Sequence, residues 1–273
     1  MLRERLITVA VLLPLLLGLM FFAPNPVWTA AIGVAVVLAA VEWARLCALP
    51  GIGQALFAAL VAISGTALFV AGALPAWRGA SHTAWQAVLG LAVVFWAAAV
   101  PCWLYFGWRI RQRALLLLAG WMVLVPAWLA TSAMQKTPLV LFLTLCVIWL
   151  ADTAAYFVGR RFGRRKLAPA ISPGKTIEGL VGAYAAVLLY VMLIAIFPLA
   201  GAPLGEKAAL VVFAMVLTTL SVAGDLFESW IKRQAGAKDS GHLLPGHGGV
   251  LDRIDSVTAA MPFAALYLLH ARP

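Results

Sequence analysis

Two short stretches near the end of the chain place carboxylates, hydroxyls and an ammonium group at helical spacing. In Gly224-Asp225-Leu226-Phe227-Glu228-Ser229-Trp230-Ile231-Lys232-Arg233, the residues Asp225, Glu228, Ser229 and Lys232 fall at i, i+3, i+4 and i+7. A helix brings such positions onto one face. Leu226, Phe227, Trp230 and Ile231 are left for the opposite face, to pack or to meet lipid. The spacing recurs in Leu251-Asp252-Arg253-Ile254-Asp255-Ser256, where Asp252, Asp255 and Ser256 stand at i, i+3 and i+4. Converging carboxylates repel one another unless a cation lies between them. Mg²⁺ suits that task, because it takes one or two carboxylates and fills its shell with water and phosphate oxygens. No Cys or His cluster lies nearby, so an oxygen-seeking metal is favoured over zinc. The basic residues Lys175, Lys232, Arg233, Lys238 and Arg253 would then meet the phosphates that the metal leaves uncovered. Such a set suits phosphoryl or nucleotidyl transfer, in which the protein positions and neutralises charge and does little covalent chemistry itself.

Between the two stretches lies Leu244-Pro245-Gly246-His247-Gly248-Gly249. Glycines let a backbone approach a ligand closely and turn its N–H groups toward an anion. The plain alternative is a flexible turn between helices. His247 reads as a general acid, a phosphate hydrogen-bonder or an ordinary loop histidine. A second polar segment carries Ser172-Pro173-Gly174-Lys175-Thr176, which resembles the tail of a phosphate-binding loop. Pro169 stands where the full motif needs Gly, and no βαβ unit surrounds it, which argues against a Walker-type ATPase. Lys175 remains a candidate phosphate contact, with Ser172, Thr176 and Glu178 beside it. The run Arg160-Arg161 and Arg164-Arg165-Lys166 reads as an anchor on anionic lipid. Asp152 and Asp225 sit near the ends of apolar spans, where an ionisable group is expensive and points to function. Snorkelling to the interface is the plain alternative for either one. Cys47, Cys102 and Cys146 are far apart, form no Cys-x-x-Cys pair, and read as small buried hydrophobes.

The elements that must position these groups are membrane helices. Of 273 residues, 64% are hydrophobic and only 11% charged, against about 25% charged in a soluble domain. A bilayer must act as solvent for much of this surface. Nine spans are expected, near 6–23, 27–44, 54–74, 84–106, 114–132, 138–158, 179–200, 207–227 and 256–270. Arg3 and Arg5 before an apolar run also suit a signal peptide, but the run is long and no clear cleavage site follows. With the N-terminus in the cytoplasm, sixteen of the twenty Lys and Arg fall on the cytoplasmic side, and Arg78, Lys136, Lys207 and Arg272 on the other. That asymmetry predicts an N-in, C-out topology and explains the net charge of +10 without a nucleic-acid partner. The fold class is therefore all-α, a polytopic transmembrane bundle. Residues 1–137 read as scaffold. Residues 138–273 read as the catalytic region, with cytoplasmic loops 159–178 and 228–255.

The run from Ser229-Trp230-Ile231-Lys232-Arg233 through Lys238-Asp239 to Gly248-Gly249 and Asp252-Arg253-Ile254-Asp255 resembles the signature of the phosphatidate cytidylyltransferase family without a gap. Ala151-Asp152-Thr153-Ala154-Ala155-Tyr156-Phe157 and Ile171 to Gly179 are similar to that family too, with Ala154 where Gly is more usual. The resemblance covers the last 130 residues or so; the first half matches only as a set of spans. It implies transfer of a cytidylyl group from CTP to phosphatidic acid, giving CDP-diacylglycerol and pyrophosphate. It implies Mg²⁺ held by Asp225 and Asp252, a second cation such as K⁺ beside it, and a homodimer in a bacterial-type inner membrane. By the same resemblance, Lys232, Arg233, Asp239, His247, Asp252 and Asp255 are the catalytic set. Ser172, Lys175, Thr176, Glu178, Ser229, Lys238, Gly248, Gly249 and Arg253 are the substrate contacts.

Two other classes fit parts of the pattern. A transporter also places acids beside bases in a membrane, but the chain has no repeated halves and its polar residues crowd one side. A CDP-alcohol transferase would carry an Asp-Gly-x-x-Ala-Arg cluster, which is absent.

Overall fold

The computed structural model describes residues 2–73, 78–196, 201–243, 246 and 248–270. His247, with Leu244 and Pro245 before it, lies outside these residues, as does Arg272. The helices run in order as α1 (Leu2–Phe22), α2 (Asn25–Leu46), α3 (Gly51–Ala73), α4 (Arg78–Val94), α5 (Val100–Phe106), α6 (Arg113–Met134), α7 (Pro138–Phe162), α8 (Ile177–Ile196), α9 (Leu204–Gln234) and α10 (Leu251–His270). A π-helical turn, Phe95–Ala99, joins α4 and α5 into one rod. Seven of these segments are long and apolar enough to cross a membrane. The fold is thus all-α and polytopic, as the apolar runs require.

Local sequence explains where the helices begin. Pro26, Pro101 and Pro138 stand in the first turns of α2, α5 and α7, where the missing N–H costs nothing and φ is already helical. The α5 helix ends at Gly107 in the left-handed conformation, with φ of 61°. α9 has 31 residues and so runs roughly 46 Å, longer than the ~30 Å hydrocarbon core. Its last polar turns therefore extend past the apolar stretch.

The segment between α7 and α8 departs from the expected loop. α7 continues to Phe162, and a two-stranded antiparallel hairpin follows, β1 (Lys166–Ala168) and β2 (Ser172–Thr176). Lys166 pairs with Thr176 and Ala168 with Ser172. The Glu178 carboxylate accepts the backbone N–H groups of Arg164, at 2.9 Å, and Arg165, at 3.1 Å. It thereby ties the entry of the hairpin to the first turn of α8. The Thr176 hydroxyl accepts the Gly179 N–H at 3.1 Å and caps that helix.

The core joins both halves of the chain. α10 packs against α9, α6, α4 and α2. In the first half, tryptophans fill slots left by glycines: Trp128 lies over Gly33 and Gly65, and Trp43 over Gly120. A Cβ at any of the three would enter the indole ring.

Candidate active site

Phe227 sets the rotation of α9. It is buried, and the rings of Trp103, Trp96 and Phe95 meet it edge-on at 5.1, 5.6 and 5.7 Å. Trp96 and Phe95 come from the π-helical turn, and both rings meet the same partner. With Phe227 held there, Asp225 faces a cavity and Glu228 and Lys232 face α10. Gly224 allows the close approach of α10, because a Cβ there would collide with the Asp255 carbonyl oxygen.

The cavity measures about 820 Å³, a size suited to a small-molecule substrate. α7 supplies Asp152, Tyr156 and Arg160 to its wall. The hairpin supplies Ser172, Lys175 and Thr176, α9 supplies Asp225 and Lys232, and the chain beyond supplies Asp239, Asp252, Arg253 and Asp255. Five carboxyl groups, on Asp152, Asp225, Asp239, Asp252 and Asp255, thus share one chamber with the Lys175 ammonium. Lys175 Nζ stands 2.7 Å from Asp225 Oδ2, and the Ser229 hydroxyl donates to Asp225 Oδ1 at 3.3 Å. The Ser221 hydroxyl donates to Asp152 at 3.4 Å.

Lys232 bridges two acids. Its Nζ is 2.6 Å from Asp252 Oδ1 and 3.0 Å from Glu228 Oε1. Glu228 is 3% exposed, and neither of its oxygens has an aligned hydrogen-bond donor among the described residues. Its contact with Lys232 is an ion pair. Asp252 is much better satisfied, since its carboxylate also accepts the N–H groups of Gly249 at 2.9 Å and Ser240 at 3.0 Å. Burial pushes the Asp252 carboxyl up, but the Lys232 ammonium and the two N–H groups outweigh it and bring the value down to about 2.

Several expected site residues stand outside the wall. Arg233 donates to the Ile171 and Ala237 carbonyl oxygens, at 3.2 and 3.3 Å, and so joins the end of α9 to the hairpin. Glu178 lines a smaller cavity with Arg161, Arg164 and Arg165. Gly249 gives its N–H to Asp252, and Gly248, at φ of 84°, lies against the same carboxylate. Lys238 is exposed and is not part of the wall.

A hard divalent cation fits this donor set, which is all oxygen. Among the described residues no three acidic, His or Cys side chains converge into a ready-made cage. An ion here would take one or two carboxylates and complete its shell with water and phosphate, as Mg²⁺ commonly does. Of the two expected holders Asp225 has fewer partners, Lys175 and Ser229, whereas Asp252 accepts from Lys232, Ser240 and Gly249.

Glu42 gives no spacing signal in the sequence. It lies on α2, 1% exposed, and accepts three hydrogen bonds from the segment that carries Ser240, Val250 and Leu251. The available clue is a lone acid within an apolar span, which is costly unless it is used.

Known proteins resemble this chain along its length. The sequence pattern of the Cytidylyltransferase family matches residues 3–271. A phosphatidate cytidylyltransferase of Pseudomonas aeruginosa is 41% identical over 97% of this chain and 97% of its own length. One from Haemophilus influenzae is 46% identical over 46% of each chain. One from Bacillus subtilis is 44% identical over 48% of this chain and 47% of its own.

Proposed function

The chain belongs to the cytidylyltransferase family, and we propose that its large cavity is where a cytidylyl group passes from CTP to phosphatidic acid. The products are CDP-diacylglycerol and pyrophosphate. The observation that carries this reading is the shared chamber of Asp152, Asp225, Asp255 and Lys175, with Lys232 at its inner edge.

A phosphate oxygen of phosphatidic acid attacks the α-phosphorus of CTP. A new P–O bond forms, the bridge between the α- and β-phosphates breaks, and its electron pair leaves with pyrophosphate. The attacking phosphate is already ionised, so no protein nucleophile is required. Lys175 and Arg253 neutralise the phosphates in the cavity. Lys232 keeps Glu228 and Asp252 together and keeps α9 in register with α10. Ser229 orients Asp225 through its hydroxyl and takes no covalent role. Asp225 and Asp252 would hold Mg²⁺, with a second cation such as K⁺ beside it; when bound, such a cation lowers the repulsion between the two anionic substrates. The polar end faces the cytoplasm of a bacterial inner membrane, where CTP is available, and the acyl chains stay in the leaflet. The assembly is a homodimer.

The test is turnover by the detergent-purified protein with phosphatidic acid and CTP labelled at the α- or the γ-phosphate. The α-label moves into extractable lipid and the γ-label into pyrophosphate, and chelation of divalent cations stops both. Labelling of the protein by either CTP would overturn the direct-attack course. An absence of lipid product from folded protein would overturn the reaction itself.

A further inference from the structure

The signature segment between α9 and α10 is held from the far half of the chain. Glu42 lies near the end of α2, buried at 1% exposure, and its carboxylate enters that segment from 198 to 209 positions away. Its Oε1 accepts the Val250 N–H at 3.1 Å, and its Oε2 accepts the Leu251 N–H at 2.9 Å and the Ser240 hydroxyl at 2.9 Å. Val250 and Leu251 carry two of the free N–H groups at the start of α10, where a negative charge is favoured. Glu42 therefore caps α10 from another helix.

Ser240 extends this contact to the reaction chamber. Its hydroxyl donates to Glu42, and its backbone N–H donates to Asp252 at 3.0 Å. One residue thus joins a carboxylate outside the cavity to a carboxylate on its wall. The glycines of the segment fit the same arrangement. A Cβ at Gly249 would fall on the Ser240 hydroxyl and Glu42 Oε2, and one at Gly241 would fall on Glu42 Oε1. These two positions are small because the Glu42 carboxylate fills the space beside them.

We infer that Glu42 is a positioning residue for cytidylyl transfer, acting through Ser240 and the first turn of α10 to fix Asp252 in place on the wall of the reaction chamber. It touches no substrate. The inference rests on the reading of the large cavity as the transfer site. Glu42→Gln keeps the volume of the side chain but turns an amide N–H₂ toward donors, so at least one of the three bonds is lost. Ser240→Ala removes only the hydroxyl link and leaves the backbone N–H to Asp252.

The experiment measures kcat and KM for CTP in wild type, Glu42→Gln, Ser240→Ala and the double variant. All are full-length and purified in detergent, and each rate is normalised to protein that elutes and melts as a folded species. Glu42→Gln lowers kcat roughly 10–100-fold, the range of lost supporting contacts around a site, with KM changed less than about threefold. Ser240→Ala lowers kcat about 5–10-fold. The double variant is no worse than Glu42→Gln alone, because both changes cut one chain of contacts. Wild-type kcat in folded Glu42→Gln, or losses that multiply in the double variant, would overturn the inference. If Glu42→Gln does not fold, Ser240→Ala decides alone, and wild-type kcat in it refutes the link. Lipid product from wild type, measured beside the variants, keeps a failure of this inference distinct from a failure of the reaction assignment.

Discussion

The first and second halves of this bundle both bury polar groups among apolar helices, yet they satisfy them differently. In the first, indole N–H groups end on backbone carbonyl oxygens of a facing helix. Trp43 donates to Leu116 at 2.9 Å, Trp128 to Thr29 at 2.8 Å and Trp28 to Thr131 at 3.3 Å, and the Trp43 and Trp128 rings wedge over glycines. Each of these donors is neutral and has one partner. In the second, five carboxyl groups line one chamber, and Lys175 and Lys232 are shared among them and their neighbours. Neutral, paired groups hold a shape. Acids and bases gathered in equal number around a cavity suit a charged visitor, here a triphosphate and a lipid phosphate.

Substitutions on each side can break or sharpen that contrast. The largest effect belongs to Lys232→Met, which leaves Glu228 and Asp252 close together without a cation. Activity falls below detection, and the fold loses about 3–5 kcal/mol, the cost of breaking a buried pair by removing one partner. Thermal melting in detergent reads the second effect, and a wild-type melt would show that the buried charges are not coupled. Asp255→Asn comes next. It keeps the shape of the wall and replaces one acidic group with a neutral amide, so turnover drops at least ~100-fold while the melt stays within a few degrees. Trp43→Phe, in the first half, removes a single bond to Leu116. It costs about 1–2 kcal/mol, and turnover per folded molecule stays within about twofold. Tyr184→Phe gives the smallest effect. The Tyr184 hydroxyl lies 2.8 Å from that of Thr219, outside the chamber wall, and its loss shifts stability by no more than about 0.5 kcal/mol.

The contrast is only partly legible in the sequence. The face carrying Asp225 and Ser229 is readable because polar residues at helical spacing interrupt an apolar run, and the structure joins that pair by a hydrogen bond. The Lys232 bridge to Asp252 is not readable. It depends on how closely α9 and α10 approach, which Gly224 sets beneath the Asp255 carbonyl. The hairpin between α7 and α8 is too short to show strand alternation, and its pairing depends on Glu178 holding the Arg164 and Arg165 N–H groups. Glu42 has no patterned neighbour at all. Its partners are about 200 positions away, a distance at which local spacing carries no information.

The central claim is that the chemistry resides in the charged chamber, while the tryptophan-filled half holds the frame. Turnover of CTP with phosphatidic acid by folded Asp225→Asn, measured beside folded Trp43→Phe, tests it most directly. The account predicts that Asp225→Asn loses at least ~1,000-fold in turnover with its melt preserved, and that Trp43→Phe loses stability with turnover preserved. Lipid product from Asp225→Asn at a rate near wild type would contradict it.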